Sequence, residues 1–241
     1  MQLPKKIDPC PIVDSVVEIR FKSNTYPNAV FGLIYNALKE YYPRVEKLPI
    51  LQLPEQLRDT DPNFKFKAHY KVLSTDNYSV QIGPEVLVIG APSSYPGWQD
   101  FSQRIYSIID NVIQSGIIQS ITRLGIRFIN FFEDDIFYNV NLEIRMNGDR
   151  MNLRNTVLRT EVEKNSFFNT LQIANNATNT ANNRSVSGSI IDIDTFKNYS
   201  NDMSFESIYR DEIETAHNTE KEIFFELLEK EFLNKLNPTY T

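Results

Sequence analysis

The sequence predicts an α+β fold in which two duplicated β-α-βn-α units form a curved antiparallel sheet with helices on one face. Three observations predict it. Apolar residues alternate with polar ones in several short segments. Amphipathic segments with a period near 3.6 separate those segments. The stretch Glu18-Ile19-Arg20-Phe21 is echoed by Gly125-Ile126-Arg127-Phe128 at the same point of a repeated element order.

Residues 1–12 hold Pro4, Pro9 and Pro11, which predicts an extended lead-in. Residues 13–22 place Val17, Ile19 and Phe21 on one side, with Glu18, Arg20 and Lys22 on the other. That is a half-buried strand. Val30, Phe31, Ile34, Leu38 and Tyr41 then recur at helical spacing, between Pro27 and Pro43. Residues 44–62 are punctuated by prolines and read as irregular. Strands are expected near 63–73, 76–82 and 85–91, with turns at Asp76-Asn77 and Gly83-Pro84. A second helix over 98–115 carries Trp98, Phe101, Ile105, Ile108, Ile109 and Val112 as its stripe, and Gly116 sits where a C-terminal cap belongs.

The order then restarts. A strand over 119–131 holds the echo, and residues 133–139 read as a short helix or turn. Strands are expected at 140–147, 154–163, 167–174 and 186–195. Between the last two, "NNATNTANNRSVSG" is nearly free of apolar residues and reads as an exposed hairpin loop. One long helix over 204–236, capped by Ser204 or a neighbour, closes the chain with Ile208, Ile213, Phe224, Leu227, Leu228 and Leu236 in its stripe. The halves are therefore 1–116 and 117–241, packed as one continuous globular unit. Their topology resembles the TATA-binding-protein-like fold, and a long helix on a curved sheet resembles the helix-grip folds.

Composition bounds function. The chain has 241 residues and a net charge of −6. Such a charge opposes nucleic-acid binding, which is not expected. The single Cys10 precludes an intrachain disulfide and a cysteine zinc site, and suits a cytoplasmic protein. The first residues carry no apolar signal segment, and no apolar run approaches the ~20 residues of a membrane span. Neither GxGxxG, GxxxxGK[ST] nor GxSxG occurs. His69 and His217 stand apart from any carboxylate cluster at ligand spacing, so no metal, cofactor or catalytic residue is expected.

The arginines carry the functional expectation. Arg123 and Arg127 fall on one face of a strand, about 13 Å apart. With Glu18 and Arg20 they give a polar face opposite the helices. These four residues, with Asn130, Trp98 and His217, are the candidate ligand- or partner-binding residues. The competing reading is structural, with Arg20 and Arg127 paired to Glu18, Glu161 or Glu163 across neighbouring strands. For Trp98 the competing role is a core aromatic, and for His217 a packed, hydrogen-bonded side chain.

The order of four motifs resembles a sporadically distributed family of uncharacterised prokaryotic proteins. They are "PIVDSVVEIRF", "GWQDF", "RLGIRFIN" and a last helix with His217 followed by Phe224. The Asn-rich stretch matches no motif of that family. The resemblance implies a stand-alone cytoplasmic protein without established activity, and its distribution fits a gene that travels in mobile or defence cassettes. The expected function is a non-enzymatic binding or protein-interaction module, its partner a protein or a second copy of the chain. One alternative is a small molecule held between the sheet and the last helix. Another is a phosphate-handling enzyme, because "EIRFK" and "RTEVEKN" distantly resemble the charged strands of triphosphate-tunnel enzymes.

Overall fold

A computed structural model describes residues 2–181, 184–200 and 205–240. The fold is α+β, with a nine-stranded antiparallel sheet that does not close and five α-helices among the described residues. In chain order the elements are β1 (Ile12–Ser23), α1 (Pro27–Leu38), β2 (Arg44–Lys47), α2 (Glu55–Thr60), β3 (Tyr70–Leu73), β4 (Ser79–Ile82), β5 (Val86–Gly90), α3 (Trp98–Gln114), β6 (Ile118–Phe132), β7 (Arg145–Met146), β8 (Asp149–Arg150), β9 (Val157–Lys164), β10 (Phe167–Ala181), β11 (Arg184–Asn198), α4 (Phe205–Leu227) and α5 (Lys230–Lys235). The strand order is β2-β3-β4-β5-β1-β6-β11-β10-β9. The two strands that carry the sequence echo, β1 and β6, are neighbours at the centre.

The chain divides into two compact units. One comprises Asp14–Ile126 and Phe196–Glu214. In it, Val17, Ile19 and Phe21 of β1 are wholly buried, as are Val80 and Ile82 of β4 and Leu87 and Ile89 of β5. α1 adds Val30, Ile34 and Leu38, and α3 adds Phe101, Ile105, Ile108, Ile109 and Val112. Rings tie helix to sheet, with Phe31 of α1 stacked on Tyr70 of β3 at 3.9 Å. The alternate residues of β1 (Val16, Glu18 and Arg20) fall on the opposite, open face.

The other unit comprises Met1–Val13, Arg127–Thr195 and Thr215–Thr241. Its core gathers Phe132, Ile173, Ile191 and Ile193 from the strands with Phe224 of α4, Phe232 of α5, and Leu228 and Leu236, which follow those two helices. Pro27 opens α1 at its first position and Gly116, at φ 68°, follows the end of α3, as their sequence signals indicate.

Five expectations are corrected. Residues 44–62 are not irregular: they hold β2, a 3₁₀ turn over Pro49–Gln52, and α2. The first of the three following strands begins only at Tyr70. Instead of a strand over 140–147, β7 and β8 make a two-residue-per-strand hairpin around Asn147 and Gly148, both at positive φ. The described residues of the Asn-rich stretch are strand and not loop, because β10 runs to Ala181 and β11 starts at Arg184. Ladder bonds come from the backbone, so a strand with both faces in water needs no apolar side chains. The final helix is two. α4 stops at Leu227, Leu228 bridges to Val140, and the Glu229 N–H donates to the Asn139 carbonyl. The Ser204 cap falls outside the described residues.

Candidate functional site

The open face of β1 holds a group of linked charges. Arg20 Nε donates to Glu18 Oε1 at 2.7 Å, and Arg123 Nη1 donates to the same oxygen at 2.7 Å. Glu18 and Arg20 are two residues apart on one strand and therefore project from one face. Arg123 reaches them from the adjacent strand β6. Each guanidinium lies on a ring, Arg20 over Phe66 at 4.5 Å and Arg123 over Phe196 at 4.4 Å. Arg123 is the buried partner, with 10% of its side chain exposed, against 31% for Arg20 and 25% for Glu18. Glycine makes this possible. A Cβ on Gly125 would stand 2.6 Å from Arg123 Nη1, so the bare backbone of Gly125 is the floor on which the guanidinium rests.

Arg123 and Arg127 are thus separated in role. Arg127 Nε and Nη2 donate to the two carboxylate oxygens of Asp192 on β11, at 2.7 and 2.5 Å. The acid is nearly buried and the arginine half exposed. The structural alternative named Glu18, Glu161 or Glu163 as the acids of Arg20 and Arg127; Glu18 pairs with Arg20, while Glu161 and Glu163 lie on β9, two strands beyond β11.

The remaining candidates sit elsewhere. Asn130 is buried and donates to the Ile191 carbonyl at 3.3 Å. Trp98 opens α3, where its Nε1–H donates to Glu214 Oε2 at 2.9 Å. Tyr106 donates to the other oxygen of Glu214 at 2.6 Å, and its hydroxyl is driven up by burial and by that carboxylate. His217 is on α4, its ring 6.0 Å from Phe128, on the face of β6 opposite Arg127. Burial, then Lys221, pulls its imidazole down to about 3, so it is neutral at physiological pH. Of the seven candidates, the structure assembles Glu18, Arg20 and Arg123 into one group.

Sequence reasoning missed Gly125, Phe66, Phe196 and Asp192. Gly125 alone had a local signal, since a glycine inside a strand marks a close approach.

Clefts occur in both units. In the Asp14–Ile126 unit, α1, α2 and β3–β4 enclose about 200 Å³ lined by Phe31, Arg58, His69, Tyr70 and Ile82. There Arg58 lies against the His69 ring, and Asn28 donates to Glu55 Oε1 at 2.9 Å. In the other unit, a wider polar cleft of about 400 Å³ is lined by Asp134, Asp135, Arg154, Asn175 and Ser187. Among the described residues no three His, Cys, Asp or Glu side chains converge as metal ligands. Among the described residues no helix is long and apolar enough to cross a membrane. Comparison with protein-family models and with curated proteins returns no match to this chain.

Proposed function

We propose that this protein is a non-enzymatic interaction module that receives an acidic group of a partner protein on the open sheet face around Arg20. One observation carries the reading. Arg20 is fixed by its Nε to Glu18 and by its face to Phe66, while Nη1 and Nη2 meet no acceptor among the described residues. Those two nitrogens form a partly exposed fork, and a planar fork held in place binds a carboxylate with little further loss of side-chain freedom. Glu18 and Arg123 supply the rigid support. Cytoplasmic location, duplicated units of TATA-binding-protein-like topology and a mobile or defence gene setting accompany this reading, on the sequence grounds given above.

The test uses the tagged protein as bait in its own cells, beside Arg20→Ala and Arg20→Lys baits. A partner held by the wild type should fall at least about tenfold with Arg20→Ala, the loss expected for removing a charge-assisted pair. Arg20→Lys, which keeps the charge but not the fork, should give an intermediate loss. Equal recovery on all three baits contradicts the reading.

A second reading rests on the cleft beside Arg58 and His69. Its aromatic stack and convergent polar groups suit a small anionic molecule, although about 200 Å³ is below the usual size of a ligand pocket. A small molecule retained in native mass spectrometry and lost with Arg58→Ala would favour it over the partner-binding reading.

A further inference from the structure

The strand β9 ends the sheet, and every one of its side chains is exposed or half-exposed. Its direction of hydrogen bonding follows from its ladder with β10. Phe167 pairs with Lys164 across the two-residue turn Asn165-Ser166, both at positive φ. A two-residue turn of this kind closes on a hydrogen-bonded pair, and bonded pairs then alternate along the ladder. The Asn175 N–H donates to the Thr156 carbonyl, which fits the same alternation. The N–H and C=O groups of Leu158, Thr160, Val162 and Lys164 therefore point to β10. Those of Val157, Arg159, Glu161 and Glu163 point outward and stand without a strand partner.

An edge of this length invites another strand, and charges on an edge normally discourage it. Here the charges discriminate. Consider β9 antiparallel to β9 of a second copy. Outward-bonding residues must face outward-bonding residues, so odd numbers pair only with odd numbers. Three central registers remain. One sets Arg159 against Arg159, and another sets Glu161 against Glu161. The third centres on Thr160 and sets Arg159 against Glu161 twice, once on each side of the axis. In that register Leu158 meets Val162 twice on the side of α4, where Val162 is 44% exposed. Arg159, Glu161 and Glu163 form no ion pair among the described residues, so their charges are available.

We infer that β9 is the interface of a symmetric dimer, pairing antiparallel with β9 of a second copy about a twofold axis at Thr160. The contact is isologous, each Arg159 meeting the other copy's Glu161. It joins the two sheets edge to edge and goes beyond the partner-binding reading, since it uses neither Arg20 nor the face around it.

The test is the mass of the full chain by sedimentation velocity across a dilution series. The wild type should be dimeric. Arg159→Glu and Glu161→Arg should each raise the dimer dissociation constant at least about tenfold, because each turns two attractive pairs into two repulsive ones. The double exchange, Arg159→Glu with Glu161→Arg, should restore the dimer. All these positions are exposed, so circular dichroism should be unchanged. In a Cys10→Ser background, Thr160→Cys should form a disulfide across the axis, whereas Arg159→Cys should not. A wild type that stays monomeric, a dimer indifferent to both single reversals, or a double exchange that fails to recover would each overturn the proposal.

Discussion

Arg123 lies along its own strand with its guanidinium over Gly125, two residues on, where a Cβ would come within 2.6 Å of Nη1. Gly125→Ala should therefore push the guanidinium off Glu18. The expected cost is about 1–3 kcal/mol, the scale of a disturbed buried charge-assisted bond. The check is urea unfolding of Gly125→Ala, Arg123→Lys and the double variant. If Gly125 acts through Arg123, the two losses should not add.

Glu18 holds two arginines, one of them nearly buried. Glu18→Gln takes the carboxylate away from Arg123 and Arg20 together, and weakening a charge-assisted bond to a nearly buried group costs about 1–3 kcal/mol. Arg20→Ala leaves the Glu18–Arg123 pair intact and removes only a partly exposed contact, so its loss should stay near 1 kcal/mol or below. Thermal unfolding of both variants checks the order. Equal losses would contradict the assignment of Arg123 as the structural arginine and Arg20 as the available one.

Stability should depend on pH through two groups one turn apart on α4. Burial pushes the Glu220 carboxyl up to about 8, against an opposing pull from Lys221, while His217 is pulled down to about 3. Folded Glu220 keeps its proton beyond the unfolded value of ~4.3, so stability falls as pH rises from there through about 8. His217 works in the other direction, since its neutral folded form adds stability as pH rises from about 3 to the unfolded value of ~6.5. The slopes oppose each other between ~4.3 and ~6.5, and Glu220 alone acts above that. Between pH 6.5 and 8 the protein should lose about 2 kcal/mol, and Tm should fall. Glu220→Gln should flatten this part of the profile. A wild-type profile already flat there would contradict it.

Trp98 is the only tryptophan, and its indole N–H donates to Glu214 in the same unit. Glu214→Gln keeps an acceptor but loses its charge, while Glu214→Ala leaves both the indole and the Tyr106 hydroxyl without it. The alanine variant should be less stable by about 1–3 kcal/mol and should shift the emission maximum. The glutamine variant should lie between it and wild type.

Much of the fold was legible because it is written in local periods. The alternation of Val17, Ile19 and Phe21 announced β1, and the stripe from Phe101 to Val112 announced α3. What stayed hidden depends on neighbours distant in sequence. Nothing near Arg127 says that β11 lies beside β6, so Asp192 could not be named as its acid. The rings under Arg20 and Arg123 come from residues 66 and 196, far along the chain from either arginine. The break after Leu227 arises because the Leu228 and Glu229 backbones bond to Val140 and Asn139, which no helical stripe reveals. The stretch from Thr178 to Thr180 hid as strand because its alternation has no apolar face. Within the candidate site, the pairing of Glu18 with an arginine was readable from their spacing. The division of labour between Arg20, Arg123 and Arg127 was not.

The central claim is that a partner docks on the open face of β1 through Arg20. The most direct measurement is photocrosslinking in cells from a reactive residue placed at Lys22, which shares that face, and at Ser107, exposed on α3. The account predicts a discrete crosslinked species from position 22, none from position 107, and loss of the species when Arg20→Ala is added. Crosslinking from position 107 alone, or a species at position 22 that survives Arg20→Ala unchanged, would contradict it.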